Sequence, residues 1–293
     1  DPDITHGALL QARVGPGPAT PGTIILEGGP GVGRVTRPGL GLAVGGPAIN
    51  PVPRRNIDAN LREVAGDWLR TRGLAVTLTI ADGERLARRT LNPRLGITGG
   101  LSILGTSGIV YPYSTAAYKE AVRQSIASAA AMGLTGIVLT TGRRTERFAR
   151  QRLPDWPVEA FVQMGDFVGA ALEGVAAAGF RQVVVAAMAG KLAKIGQGVA
   201  NTHAHKVPVD MERVARLARE AGADDAEAGR IARGVTVRHA AEVLAERGLA
   251  QAFYRRLVAG VEAAVVARVG SACAVNVLAF DDNGILLEES GNG

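Results

Sequence analysis

GGLSILGTSGIVYPYSTAAYKEAV, residues 99–122, changes character twice within one short run. Residues 101–104 are an apolar run of strand length. Gly105-Thr106-Ser107-Gly108 breaks that run, and Pro112 and Ser114 precede a helical pattern that starts at Ala116. Ser114 is placed to cap that helix, because its hydroxyl can accept from an otherwise unpaired backbone N–H of the first turn. Buried strand, small-residue loop and helix in that order form the entry unit of a parallel α/β sheet. Sheets of that type bind ligands beyond the carboxyl ends of their strands. Gly105, Thr106, Ser107 and Gly108 are therefore candidates for a ligand-binding loop, although a tight turn would use the same residues.

Downstream of Gly96 strand and helix alternate. Strands are expected at residues 101–104, Gly136–Thr140, 159–164 and 182–187, with helices at 115–132, Arg143–Arg152 and 166–178. Strands that are almost continuously apolar argue for a parallel sheet covered on both faces. The strand ends carry small or polar residues: Gly105–Gly108, Thr140-Thr141-Gly142, Gly165-Asp166 and Gly190-Lys191. From Val209 the pattern is mainly helical, with helices at 211–221, Asp225–Ala232, 237–247 and Ala250–Val269. Phe253, Leu257, Val261 and Val265 form an apolar stripe on the last of these. A strand at Ala274–Phe280 then turns at Asp282-Asn283-Gly284 into residues 285–287.

Upstream, residues 1–95 read as β-rich with one main helix. Short strands are expected at 8–14, 23–27 and 34–36, between Gly/Pro clusters. Gly28-Gly29-Pro30-Gly31-Val32-Gly33 has the glycines of a phosphate loop but not the following Gly-Lys-Ser/Thr, and a strand follows it, so it reads as a hairpin turn. Residues 55–69 place Ile57, Leu61, Val64, Ala65 and Trp68 on one helical face, and Leu74–Ile80 alternates as a half-buried strand before the turn at Asp82-Gly83. The fold class expected is thus α+β and α/β. A β-rich α+β N-terminal domain, residues 1–95, precedes a parallel-sheet α/β domain, residues 96–293, whose C-terminal part is mainly helical.

The composition, with 47% hydrophobic and 20% charged residues in a chain of 293, is that of a globular protein with ample core, in one large or two ordinary domains. Its apolar runs are cut well before the ~18–20 residues of a membrane helix, so no membrane partner is expected. The chain opens with Asp1-Pro2-Asp3, from which no signal peptide or transit segment is expected. Cys273 is the single cysteine, which excludes an internal disulfide and fits a reducing cytoplasm. The net charge of +6 comes from arginine, since only Lys119, Lys191, Lys194 and Lys206 are lysines. Such a surplus suits a polyanion or a ligand with several carboxylates, and an Arg-, Ala- and Gly-rich gene composition would give it too. With 4% aromatic residues and no recognisable nucleic-acid-binding motif, nucleic acid is not expected as a partner.

The motifs GLSILGTSGIV, IVLTTG, VQMGDFVGAAL, AGKLAKIGQG and VANTHAHK, in that order and spacing, resemble the cobalt-precorrin-5B C1-methyltransferases, the CbiD-type enzymes of cobalamin biosynthesis. The opening DPDITHGALLQARV is similar to the family's Asp-Pro-Asp-x-Thr-His-Gly segment. The resemblance runs from Asp1 to about His205 and continues more weakly to the end. It implies methyl transfer from S-adenosylmethionine to carbon 1 of a cobalt-bearing, ring-contracted tetrapyrrole, giving cobalt-precorrin-6A, with cobalt present only as part of the substrate. It also implies a preceding segment of several dozen residues containing a Thr-Thr-Gly stretch, so the N-terminal domain is expected to be incomplete at its start. Thr140-Thr141-Gly142-Arg143-Arg144-Thr145 departs from the Thr-Thr-Gly-Asn-Tyr-Gly of many members. Through the resemblance Asn201, Thr202 and His203 become candidate substrate contacts, and Asp3, His6 and His203 candidate catalytic residues.

Methyl transfer from a sulfonium is an in-line displacement at carbon, in which alignment alone can supply ~7–11 kcal/mol of the barrier. It needs no nucleophilic side chain and no protein-bound metal. Gly105–Gly108 suit the carboxylate and amino ends of the donor, with Thr140, Thr141, Gly142 and Gly165 as small neighbours. Asp166 either binds ribose hydroxyls or caps a helix. The acceptor's acetate and propionate groups suit arginine forks. Arg143, Arg147 and Arg150 fall at i, i+4 and i+7 along ~10 Å of one helical face, which serves either those carboxylates or solvent. Lys191, following Gly190 at a helix start, opposes the helix dipole and is a further candidate carboxylate partner. His203 and His205 have no third ligand beside them, so no protein-bound metal is expected. Two other readings stay open: a non-catalytic tetrapyrrole-binding or carrier protein, and a nicotinamide-dependent α/β oxidoreductase, whose Gly-x-Gly-x-x-Gly after a strand is missing. A homo-oligomeric state and transient contact with neighbouring pathway enzymes are also left open.

Overall fold

The structure, a computed structural model, describes residues 4–104, 115–203 and 207–290. Contacts divide the chain into two compact units, Asp1–Met132 and Gly133–Gly293.

Among the described residues the first unit combines strands of two to seven residues with four helices. β1 (Leu10–Pro16), β2 (Ile24–Gly28), β3 (Gly31–Val32) and β4 (Arg34–Val35) precede α1 (Pro51–Val64) and α2 (Gly66–Leu69). β5 (Leu74–Ile80), α3 (Gly83–Ala87), β6 (Ile97–Thr98), β7 (Gly100–Leu101) and α4 (Thr115–Ala131) follow. β5 is central to a three-stranded sheet, antiparallel to β1 and parallel to β2. Its residues alternate strictly between buried and half-buried, as the period of the sequence predicts. Val76, Leu78 and Ile80 bury against Val32, Ile49 and Leu101, and α1 adds Ile57 and Leu61.

Several expectations are corrected here. Gly28–Gly33 is not a hairpin turn: β2 runs parallel to β5, and β3 leaves it to pair in parallel with β7. The crossing is rich in glycine because the backbones touch. Gly31 has φ 79°, and a Cβ on it would fall on the carbonyl oxygen of Ile80. Residues 101–104 do not join the parallel sheet downstream. Gly100–Leu101 pairs with β3, and Ile103 bridges Ile49, because a short apolar run carries no information about which sheet accepts it. The division between units therefore falls after Met132, not at Gly96, and α4 packs into the first unit with the Ser128 hydroxyl donating to the Pro38 carbonyl at 3.1 Å. The helix expected at 55–69 starts at Pro51 and breaks at Ala65, leaving Val64 and Trp68 largely exposed. Ser114 lies outside the described residues.

The second unit is the α/β part. It contains β8 (Gly136–Thr140), α5 (Arg143–Arg152), β9 (Phe161–Gln163), α6 (Val168–Ala178), β10 (Gln182–Met188) and α7 (Ala189–Gly196). α8 (Met211–Glu220), α9 (Asp225–Ala232), α10 (Val237–Ala245), α11 (Ala250–Val269), β11 (Ala274–Phe280) and β12 (Leu286–Glu289) complete it. The sheet order is β12-β11-β10-β8-β9; β8 to β11 are parallel and β12 is antiparallel. Both faces are buried, as the near-continuous apolar strands require. Phe148 and Ala149 of α5 cover Val138, Val184, Ala186 and Leu278 on one face. Ile137, Leu139, Val183, Val185 and Ala187 are buried on the alternate side, where α11 packs on α6, α7 and β11. Phe253, Leu257, Val261 and Val265 are all buried along α11. From β8 the chain steps one way to β9, then returns to the other side of β8 for β10. The order of the sheet reverses between β8 and β10, and such a reversal opens a crevice at the carboxyl edge.

Candidate functional site

The carboxyl ends of β8, β9 and β10 bring Thr140–Gly142, Gly165-Asp166 and Gly190-Lys191 to one edge of the sheet. The helix after β9 starts at Val168 with Phe167 in the capping position, so Asp166 is not a cap. Its carboxylate reaches across the end of β8 instead. Oδ1 lies 3.0 Å from Lys191 Nζ and accepts the Thr202 hydroxyl at 3.1 Å. The Thr202 backbone N–H donates to the Asp166 carbonyl at 2.9 Å, which fastens segment 200–203 to the β9 end. Gly169 N–H also donates to the Ala200 carbonyl, at 2.9 Å. Lys191, a cation at a helix start, thus has its counter-charge.

Partial burial of Asp166 favours its neutral form, but the Lys191 ammonium, the Thr202 hydroxyl and the charge of His203 outweigh it. The carboxyl is held below its ordinary value. Oδ1 takes both donors, so Oδ2 keeps its acceptor capacity, with no hydrogen-bond donor among the described residues. A ligand hydroxyl or ammonium is the chemistry that such an oxygen accepts.

Beside this pair a cavity of about 720 Å³ opens at the ends of β10 and β11. Met188, Lys191, Lys194, Thr202, Tyr254 and Phe280 are among the residues that line it. The volume falls within the range of small-molecule sites, and its lining is largely apolar with few convergent polar groups. Burial, aided by the carboxylates of Asp281 and Glu242, raises the Tyr254 phenol above its ordinary 10.0, so it is a hydrogen-bond donor at neutral pH. At the rim Asp282 is held by Arg144 at 3.1 Å and Arg238 at 3.8 Å. Arg144, Lys194 and Tyr254 are site residues that the sequence reading missed. Lys194 had a signal, since it stands one turn from Lys191 on the same helix.

The remaining expected residues are placed as follows. The Thr140 hydroxyl is buried and donates to the Val162 carbonyl at 3.4 Å, so it serves the sheet and not a ligand. Thr141 and Thr145 share a hydroxyl contact of 3.3 Å at the start of α5. Arg143, Arg147 and Arg150 are exposed. Arg143 stands at the edge, whereas Arg147 and Arg150 lie ~6 and ~10 Å further down α5 at 1.5 Å per residue. Their guanidinium groups lie 5.1 Å from the Phe148 ring and 6.0 Å from the Phe161 ring. Asn201 accepts the His203 backbone N–H at 3.1 Å, and the His203 ring is exposed. His6 is exposed in a turn of the first unit. Asp3, Gly105, Thr106, Ser107, Gly108 and His205 lie outside the described residues. Among the described residues no group of three or more His, Cys, Asp or Glu side chains could hold a metal ion. No helix of the described residues is long and apolar enough to cross a membrane.

Two family models match the chain: CbiD over residues 1–112, and the CbiD C-terminal domain over residues 201–291. The chain is 54% identical over 257 residues to the cobalt-precorrin-5B C(1)-methyltransferase of Dechloromonas aromatica (strain RCB), covering 88% of this chain and 65% of that protein. It is 47% identical over 295 residues to the protein of the same name from Paracidovorax citrulli (strain AAC00-1), covering 100% of this chain and 79% of that one. The protein of that name from Geobacillus kaustophilus (strain HTA426) is 42% identical over 284 residues, 97% of this chain and 76% of that one. The chain thus spans about two thirds to four fifths of the length of these relatives. A solved structure, the cobalamin biosynthesis protein (cbiD) from Archaeoglobus fulgidus, is 27% identical over 66% of this chain and 57% of that chain, with a TM-score of 0.29.

Proposed function

The chain belongs to the CbiD family, and on that premise we propose that it methylates carbon 1 of cobalt-precorrin-5B in cobalamin biosynthesis, with S-adenosylmethionine as donor. The observation that carries this reading is the identity of 47% over the whole chain to a relative bearing that name. The donor supplies an electrophilic methyl group: its bond to sulfur breaks as the bond to carbon 1 forms, and a neutral thioether leaves.

The residues at the carboxyl edge of the second unit suit what such a reaction asks of a protein. We assign the Asp166 carboxylate, through Oδ2, to hydroxyl or amino groups of the donor. Lys191 and Thr202 fix the position of that carboxylate, so it is oriented before any ligand arrives. Gly142 and Gly190 carry no side chain at the crevice, and a Cβ at either would meet nothing within 4 Å. A glycine in the first turn of α7 costs about 1 kcal/mol against alanine, and its packing does not require it. Open room for a ligand accounts for it. Arg143 and Lys191 are the cations of this edge that we assign to the acceptor's carboxylates. Tyr254 and Val235 offer apolar surface to a ring system or an adenine. A cytoplasmic setting belongs to the same proposal and draws on the single cysteine, Cys273, which is free and buried.

Incubation with S-adenosylmethionine and cobalt-precorrin-5B, followed by mass measurement of the tetrapyrrole, tests the reading. A gain of one methyl group in place of a hydrogen is expected. A tetrapyrrole that binds but keeps its mass would make the protein a carrier.

A further inference from the structure

Lys194 is the buried cation of this site. Its side chain is 7% exposed, lines the same cavity as Lys191, and donates to the Thr202 carbonyl at 3.2 Å. An ammonium has three donors. Among the described residues this one hydrogen bond engages its ammonium, and it forms no ion pair there. Buried charges in proteins are paired or bound to a ligand, because an unpaired charge removed from water is costly. Lys191, one turn earlier on α7, is already neutralised by Asp166 at 3.0 Å. Of the carboxylates that line the cavity, Glu242 and Asp282 are engaged by Arg238 and Arg144, and Asp281 accepts the backbone N–H groups of Asn283 and Ile285. Among the described residues Lys194 is therefore a positive charge of this cavity without an ion-pair partner, set at its wall where a ligand can reach it.

We propose that Lys194 is the counter-charge for a carboxylate of the bound ligand, which completes an ion pair that the protein leaves open. The inference rests on the methyltransferase reading for its choice of ligands. Two sources offer the group: the amino-acid carboxylate of the donor, and an acetate or propionate of the tetrapyrrole. Either would meet Lys194 with Thr202 beside it, and the charge-assisted bond would form in a partly water-excluded site.

Calorimetry on the full chain with two pairs of probes separates the sources. S-adenosylhomocysteine is compared with its decarboxylated analogue, and dicyanocobyrinic acid with its heptamethyl ester. For the pair that supplies the carboxylate, the wild type should bind the carboxylate-bearing member at least 10-fold more tightly. Lys194→Met should abolish that preference in the first pair, or cut it at least 10-fold in the second, where Arg143 and Lys191 still meet other carboxylates, while leaving affinity for the carboxylate-free member unchanged, and Lys194→Arg should retain it. Loss in the first pair assigns the donor, and loss in the second assigns the acceptor. Equal weakening of both members of a pair would reduce Lys194 to a prop for the Thr202 segment and overturn the proposal. So would a preference of undiminished size in Lys194→Met. Should Lys194→Met fail to fold, equal wild-type affinities within both pairs overturn it equally well. If the wild type binds no probe of either pair, the methyltransferase reading falls together with this one.

Discussion

In the first unit the closest approaches are between backbones. Gly31 lies against Ile80, and both Gly83 and Gly100 lie against Gly31, at separations that leave no room for a Cβ. Four of its strands, β3, β4, β6 and β7, have two residues each. In the second unit β8 to β11 run parallel in one sheet, and side chains fill the space beside them, with Phe148, Phe161 and Phe280 in one cluster. Glycine accordingly means different things at Gly31 and at Gly190. At Gly31 it is a packing requirement, while Gly190 faces open space beside a cavity. The unit held by side chains is the one whose strand ends are free to carry polar groups.

The sharpest way to break this contrast is to remove a large side chain from the second unit. Phe148→Ala should lose about 3–5 kcal/mol in denaturant unfolding, the usual cost of a buried aromatic. Gly31→Ala should cost about 2–4 kcal/mol, since the residue adds both left-handed strain and overlap with the Ile80 carbonyl. Gly190→Ala, by contrast, should leave stability unchanged or raised by up to about 1 kcal/mol, while weakening ligand binding. A Gly190→Ala protein that melts early would make that glycine structural, like Gly31.

The Asp166–Lys191 pair permits a test by pH. Because the Asp166 carboxyl is lowered in the folded state, it contributes stability above its unfolded value and loses it as pH falls through the folded one. The gap in unfolding free energy between wild type and Asp166→Asn should therefore be widest near neutral pH and narrow below about 3.8. A constant gap across that window would mean that the charge of Asp166 is not what matters. Lys191→Ala should weaken binding of the tetrapyrrole about 10-fold, a loss of ~1.4 kcal/mol. The smallest effect is expected at Arg147→Ala: within about 0.5 kcal/mol in stability, with tetrapyrrole affinity intact.

What was legible in the sequence follows from what is local. The alternation in Leu74–Ile80 and the apolar runs of β8, β10 and β11 each announce a strand, and the stripe from Phe253 to Val265 announces the buried face of α11. Residues 101–104 also announce a strand, but the choice of partner belongs to tertiary structure, and β3 takes Gly100–Leu101. Gly28–Gly33 looked like a turn because a crossing of backbones and a hairpin both ask for glycine. At the site, Gly165-Asp166 and Gly190-Lys191 could be named as strand ends. Their ion pair could not, since it depends on β9 and β10 lying on opposite sides of β8. Lys194 was hidden for a similar reason. Its burial comes from packing that no single helix displays.

The central claim is that the chain transfers a methyl group to carbon 1 from an edge built around Asp166. Single-turnover transfer from methyl-labelled S-adenosylmethionine to cobalt-precorrin-5B, compared between wild type and Asp166→Ala, tests it most directly. The account predicts labelled product with the label at carbon 1 from the wild type, and a rate at least about 10-fold lower from the variant at unchanged fold, the equivalent of ~1.4 kcal/mol in the barrier. An unlabelled tetrapyrrole from the wild type, or equal rates from the two proteins, would contradict it.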